Sequence, residues 1–237
     1  MELAVDLHIH SSLSPCADND MTPNNIINMA ILKGLDIISI TDHNNAKNLP
    51  AFHKVALEKG IMLLPGIEVQ TREEAHILCY FKKIVSAVEF GNIIYDKLPN
   101  IKNNEEVFGK QIILDSSDIE TGSLDKLLLS SADISINELL KLTLEYDGIC
   151  IPAHVDRASF SIISNLGFIP DDLNIKAIEI SKNETESSFI SKFPLLKNFR
   201  IIKASDAHYL FDISERENLI TVQDFTLTNI LNYLKCI

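Results

Sequence analysis

Six of the seven histidines stand beside a carboxylate or at the edge of a short apolar run. The first group is Asp6-Leu7-His8-Ile9-His10. Alternate residues of a strand share a face, so His8 and His10 can approach one point, with Asp6 below them. Thr41-Asp42-His43, Gly66-Ile67-Glu68, His76, His154 and Asp206-Ala207-His208 follow along the chain. Imidazole and carboxylate together form a donor set for Zn, Mn, Fe and related first-row metals. A single histidine is more often a surface or hydrogen-bonded core residue, and His53, inside the helical stretch 51–59, is read that way. The joint pattern points to metal, because so many ionisable groups are costly to bury unless ions satisfy them.

These groups need strands that bring them together. Apolar runs at Leu3–Ile9, Leu35–Ile40, Ile61–Val69, Ala75–Phe81, Ile149–Ala153, Ala177–Ile180, Arg200–Ala204 and Leu219–Val222 read as strands. Helical patterns alternate with them: one opening at Thr22-Pro23 and ending near Gly34, then Ala51–Lys59, Ser86–Leu98, Ser159–Leu166, Glu184–Phe193 and Thr228–Leu234. Ser135–Tyr146 reads as a helix with Ser135 and Glu138 as a capping box. A hairpin is expected from Gln111–Leu114 and Leu124–Leu129 around the turn-rich Asp115–Gly122. About six or seven β-then-α units argue for a mainly parallel sheet, as a barrel or an open doubly wound fold. In such folds chemistry gathers at the carboxyl ends of the strands. Five groups lie there if the strands are parallel, and His76 must reach in from the start of its own strand. No Gly-rich dinucleotide fingerprint or P-loop is present.

The hydrophobic fraction of 46% supports a sizeable core. A formal net charge of −12 weighs against a broad basic surface for long duplex nucleic acid. Carboxylates that ligate dications are neutralised when loaded, so part of this charge suits a metal protein. The four cysteines, Cys16, Cys79, Cys150 and Cys236, show no CxxC spacing. With no signal-peptide pattern and no apolar run of about 18 residues, the expectation is a reduced, cytoplasmic protein with free thiols and no membrane partner.

Asp6-Leu7-His8-Ile9-His10, Thr41-Asp42-His43, Gly66-Ile67-Glu68, Ala75-His76-Ile77-Leu78, Pro152-Ala153-His154 and Ser205-Asp206-Ala207-His208 together resemble the PHP domain, the polymerase and histidinol phosphatase family, over residues 3–208. The resemblance implies an α/β fold, a distorted seven-stranded β/α barrel. It implies one domain over 1–237, with an insertion at about 85–134 between the fourth and fifth barrel strands. It also implies about two or three divalent ions, Mn, Fe or Zn. By the same likeness His8, His10, Glu68 and Asp206 surround one ion. His43, His208 and an Asp of the first loop hold a second. His76 and His154 hold a third, with Glu68 bridging.

Two departures stand out. Relatives often carry Ser-Asp-Gly after the HxH pair, where this chain has Ser14-Pro15-Cys16-Ala17-Asp18-Asn19-Asp20. Counting back from Thr22-Pro23 favours Asp18 as the first-loop ligand, then Asp20, then Cys16, near which some relatives place a His. Relatives often have His-Pro-x-Arg, and here His154-Val155-Asp156-Arg157 keeps Arg157 in register for a phosphate.

The expected chemistry is hydrolysis of a small phosphomonoester, nucleotide in type, by a metal-activated water. Arg157 clamps phosphate, Asp206 aligns the nucleophile, and His208 or His43 assists proton transfer. Glu179 is a supporting candidate, with a structural role preferred. The alternatives are a nuclease or phosphodiesterase on short nucleic acids, a non-catalytic metal-binding regulatory module, and hydrolysis of a C–N or ester bond.

Overall fold

The first apolar run becomes strand β1 (Glu2–Ile9), buried along all but its first residue, as in a strand covered on both faces. The computed structural model describes residues 1–236. After β1 come α1 (Pro23–Leu32), β2 (Ile37–Ile40), α2 (Leu49–Lys59), β3 (Met62–Gln70), β4 (His76–Tyr80) and α3 (Ile84–Asp96). Then follow α4 (Glu105–Phe108), β5 (Ile112–Leu114), β6 (Glu120–Ser123), α5 (Ile136–Glu145) and β7 (Ile149–Pro152). The chain closes with α6 (Ile162–Leu166), β8 (Ala177–Ser181), α7 (Glu186–Lys192), β9 (Arg200–Ala204), β10 (Leu219–Thr221) and α8 (Leu227–Lys235). The expected caps are in place: the Thr22 side chain accepts from the Asn25 amide, and Ser135 and Glu138 bond reciprocally, each cap contributing roughly 1 kcal/mol.

The fold is mixed α/β. Six strands form a curled sheet in the order β10-β1-β2-β3-β4-β7, and β8 and β9 form a separate parallel pair. The pair sits across the open side of the curl. Ala207, just past β9, bridges Ile9, and His10 N–H donates to Ala207 O at 2.9 Å. Val155 N–H, just past β7, donates to Glu179 O at 2.9 Å. The hydrogen bonding is therefore six strands and a pair, rather than one ring of seven.

The sheet is also less parallel than expected. β1, β2 and β3 are parallel, but β4 runs antiparallel to both β3 and β7. Only residues 71–75 join β3 to β4, and a parallel crossover needs about a dozen or more. This reversal puts His76, the first residue of β4, at the same end as the last residues of β3 and β7, where His76 pairs with Gln70.

A register irregularity between Asp6 and Ile9 in β1 re-aims its side chains. Leu3, Val5 and Leu7 pack in the inner apolar cluster, with Leu64, Leu78, Ile151 and Ile202, closed below by Ile230, Leu231 and Leu234 of α8. Ile9 instead joins the outer cluster beneath the helices, which leaves His8 and His10 facing the interior. Asp6, expected below them, is fully buried. Its carboxylate accepts Ser205 N at 3.0 Å and Ser214 N at 2.8 Å, and so ties down the loop after β9.

The segment expected as an insertion, 85–134, lies between β4 and β7. Ala87, Phe90 and Ile94 of α3 join the outer core. Its hairpin pairs β5 with Glu120–Ser123, not with Leu124–Leu129. No helix among the described residues is long and apolar enough to cross a membrane, and all four cysteines are free thiols.

Candidate metal centre

Glu68, near the end of β3, is the hub. Its Oε1 lies 3.3 Å from His8 Nε2, 3.0 Å from His76 Nδ1 and 3.3 Å from His154 Nε2. Its Oε2 lies 2.9 Å from His43 Nδ1 and 3.5 Å from His10 Nε2. Asp206, just past β9, adds a second carboxylate, with Oδ1 3.2 Å from His8 Nε2 and 3.0 Å from His10 Nε2. Three donor groups overlap here: His8, His10 and Glu68; His43, Glu68 and His76; and His10, His43 and His208. In each, the ligand atoms fall within 4.8 Å of one another.

Distance alone does not make these contacts hydrogen bonds. Both oxygens of Glu68, and Nδ1 of His43 and of His76, are buried with no hydrogen-bond partner. They stand close, yet their N–H directions miss, so lone pairs converge on shared points. A buried carboxylate left this way is costly, and divalent cations at those points remove the cost. The residues fit a metal cluster.

The electrostatics are those of a strongly coupled set. Burial opposes charge on Glu68, but the charges of His76, His8 and His43 overcome it and hold the carboxyl well below its usual range. Burial likewise opposes Asp206, and His8 and His10 hold it well below. His8 rises well above an ordinary imidazole: burial works against it, and Glu179, Asp206 and Glu68 outweigh burial. His10 falls well below, first through burial and then through the charges of His208 and His43.

A second ring of side chains aims the cluster histidines. Glu179 of β8 places both oxygens 3.1 Å from His8 Nδ1 and accepts the His154 amide at 3.1 Å. It thereby fixes which nitrogen of His8 faces the cluster, the usual carboxylate–histidine arrangement of metal sites. Ser14 Oγ sits 3.0 Å from His10 Nδ1 and donates to Asp42 Oδ1 at 2.7 Å. Asp42 thus acts through Ser14 rather than as a ligand. Gln70 Oε1 lies 3.4 Å from His76 Nε2. Strained backbone gathers at the same end, with φ of 29° at His154, 51° at Asp206 and 56° at Phe160. A bulky residue in the left-handed region is uncommon outside functional sites.

A model described as the PHP domain matches residues 6–179. The chain belongs to the PHP domain family. Its relatives include the PolC-type DNA polymerase III of Streptococcus pneumoniae, 25% identical over 157 residues, covering 65% of this chain and 9% of the polymerase. The chain thus spans a small fraction of that relative's length. In structure it is similar to the lesion-specific endonuclease EndoQ of Pyrococcus furiosus, with a TM-score of 0.68 and 19% identity, covering 100% of this chain and 56% of that one. It is also similar to a two-domain protein of Bacteroides vulgatus containing a predicted PHP-like metal-dependent phosphoesterase, with a TM-score of 0.57 and 16% identity, covering 99% of this chain and 63% of that one.

Within this PHP domain, His8, His10, His43, Glu68, His76, His154, Asp206 and His208 come together, as their motifs implied. His208 is held by Nδ1 on its own Asp206 carbonyl at 2.8 Å, leaving Nε2 to face the cluster. Arg157 reaches back from the rim, half-exposed, with a guanidinium nitrogen 2.6 Å from Asp206 Oδ2. His53 is exposed on α2, away from the site. The first-loop expectation fares differently. Asp18 and Asp20 are exposed, and Asp18 Oδ1 accepts the Asp20 amide at 2.8 Å, stitching its own loop. Burial works against a Cys16 thiolate, but His43 and His208 outweigh it and lower the thiol to about 6. Glu179 and Ser14 carry more of the site than the sequence suggested; the visible signal was a lone buried-strand Glu in β8 and the serine four residues past His10.

Proposed function

We propose that this PHP domain hydrolyses a phosphoric ester of nucleotide type, using divalent metal ions held by His8, His10, His43, Glu68, His76, His154, Asp206 and His208. One observation carries the reading: both Glu68 oxygens are buried without a hydrogen-bond partner, while five imidazoles stand within 3.5 Å of them. When bound, divalent cations supply Lewis acidity, polarising a phosphoryl oxygen and lowering the pKa of water. The chain's own groups do the rest. Arg157 touches Asp206 through one nitrogen, and the remainder of its planar fork is free to take a phosphate. Asp206, held ionised, places a negative charge at the rim to orient the attacking water. Glu179 keeps His8 in a single tautomer, and Ser14 with Asp42 does the same for His10.

Aromatic side chains support a nucleobase beside the phosphate. The Phe160 ring stacks on His76 at 5.1 Å between centroids, yet Phe160 is 46% exposed. Tyr209 and Phe211, close after His208, are 55% and 87% exposed. Such faces stack bases at roughly 1–3 kcal/mol each.

The second reading is a nuclease. It is supported by the likeness to endonuclease Q, which has also been solved with a 27-mer duplex carrying an abasic lesion (TM-score 0.69 and 19% identity). The net charge of −12 favours a nucleotide or short strand over a long duplex. A panel of nucleoside monophosphates, short single strands and an abasic duplex separates the two. Phosphate release from nucleotides alone supports the first reading, chain cleavage supports the second, and hydrolysis of none of them under Mn, Zn or Fe sinks both.

A further inference from the structure

We propose that Cys79 and Cys150 form a site of reversible oxidation, becoming a disulfide when a small hydroperoxide enters the cleft beside α5. The pair lies toward the other end of β4 and β7 from the metal cluster, so it does not rest on the reaction proposed above. Cys79 of β4 and Cys150 of β7 are direct partners in the antiparallel ladder, and their sulfurs lie 3.6 Å apart. The register decides which kind of pair they are. Ala153 N–H donates to His76 O at 3.1 Å, and Pro152, which has no N–H, faces Ile77. Hydrogen-bonded and non-hydrogen-bonded pairs alternate along such a ladder. Ile77 with Pro152 is therefore non-hydrogen-bonded, and so is Cys79 with Cys150, two residues along. The Cα atoms of such pairs stand about 4.5 Å apart with their side chains close, inside the span of roughly 4.4–6.8 Å that a disulfide bridges. The sulfurs must close to about 2.0 Å, which rotation of the two side chains and a small approach of the strands supply.

The two thiols differ in access, and this sets their order of reaction. Cys79 is fully buried, and burial holds its thiol well above the ordinary range. Cys150 is half-buried and lines the cleft of about 600 Å³ that Leu173, Ile175 and Leu234 also border. Thr143 Oγ1 of α5 lies 3.2 Å from Cys150 Sγ and 3.6 Å from Cys79 Sγ, so one hydroxyl gathers both sulfurs. Cys236 borders the same cleft and is the competing partner, but its thiol donates to Lys176 O at 3.5 Å. With hydrogen peroxide, the Cys150 sulfur attacks, the O–O bond breaks, water leaves and Cys150 becomes a sulfenic acid. The Cys79 sulfur then attacks that of Cys150, the S–O bond breaks, and the hydroxyl leaves as a second water with the Cys79 proton. The two thiols together lose two electrons, and the peroxide gains them.

The test treats the whole protein with hydrogen peroxide, quenches it in denaturant with iodoacetamide, and maps each cysteine by mass spectrometry without reduction. The wild type is expected to yield a linked Cys79–Cys150 peptide that dithiothreitol releases. Cys150→Ser is expected to leave Cys79 a free thiol after the same treatment. Cys79→Ala removes the second sulfur, so dimedone added with the peroxide is expected to label Cys150 there and far less in the wild type. Where a variant does not fold by circular dichroism, the wild-type map decides alone. Wild-type Cys79 and Cys150 that both stay alkylatable, or Cys150 linked to Cys236 in place of Cys79, overturns the proposal. So does Cys79 oxidised as readily in Cys150→Ser, or Cys150 in folded Cys79→Ala that takes no dimedone. Failure of the phosphoesterase reading leaves these readouts unchanged, because none involves turnover or bound metal.

Discussion

The same strands meet two different ends of the molecule. At one end, β3, β4 and β7 lead to Glu68, His76 and His154. Toward the other, β4 and β7 pair Cys79 with Cys150, whose sulfurs lie 3.6 Å apart. There Thr143 Oγ1 donates to Leu139 O at 2.8 Å and accepts from Cys150 Sγ at 3.2 Å. A cleft of about 600 Å³, lined in part by Cys150, Leu173, Ile175 and Leu234, opens beside them. Its hydroxyl is paired within the protein. At the Glu68 end, buried donors and acceptors are unpaired. A buried carboxylate with both oxygens unpaired among five imidazoles marks this site, because burying it so without compensation is costly.

The sharpest break of that contrast is Glu68→Gln. The change keeps the shape and removes the charge shared by five imidazoles, so turnover should fall on the order of 10⁴-fold or more, with fewer metal ions retained by elemental analysis. Near-wild-type turnover there would put the chemistry elsewhere. Chelation comes next. A bound ion at about 100 times its Kd adds about 2.7 kcal/mol to the folded state, or ~5–10 °C in Tm for a chain of this size. Calorimetry before and after chelator should show that loss in the wild type and little of it in Glu68→Gln.

Glu179→Gln sharpens the picture further. It keeps the volume and weakens the hold on His8, and metal affinity should drop roughly 10- to 100-fold. Phe160→Leu is expected to raise KM for a nucleotide by roughly 5-fold or more, the lower end of a lost base stack, and to leave KM for an alkyl phosphate unchanged. At the opposite end, Thr143→Val leaves the half-buried Cys150 thiol without its acceptor and should cost about 1 kcal/mol of stability. Metal content and turnover should stay at wild-type levels. If Thr143→Val lowers metal content, the two ends are not independent.

Much of the cluster was legible because each of its residues sits in a short motif at or near a strand end, where spacing and period suffice. His8, His10, Glu68 and Asp206 needed no knowledge of the fold. The direction of β4 was legible in principle, since residues 71–75 are too few for a crossover. The irregularity in β1 was not, nor was the bonding of Asp6 to the Ser205 and Ser214 amides. In the first loop, Asp18, the residue favoured by counting, is exposed and bonded to its own loop. Counting from Thr22-Pro23 treats the loop as set by its neighbours in sequence, but its path is fixed by Gly109 and His208, far along the chain. The second arm of the hairpin was misplaced similarly: Leu124–Leu129 is apolar because Leu127 and Leu128 are buried, not because the segment is a strand.

The most direct measurement is metal content by elemental analysis on protein purified without added metal, paired with phosphate release from a nucleotide panel. The account predicts at least two ions per chain, as the overlapping donor groups imply, and release that vanishes on chelation and returns with metal. Protein that folds with no bound metal, and hydrolyses as well with chelator as without, would contradict it.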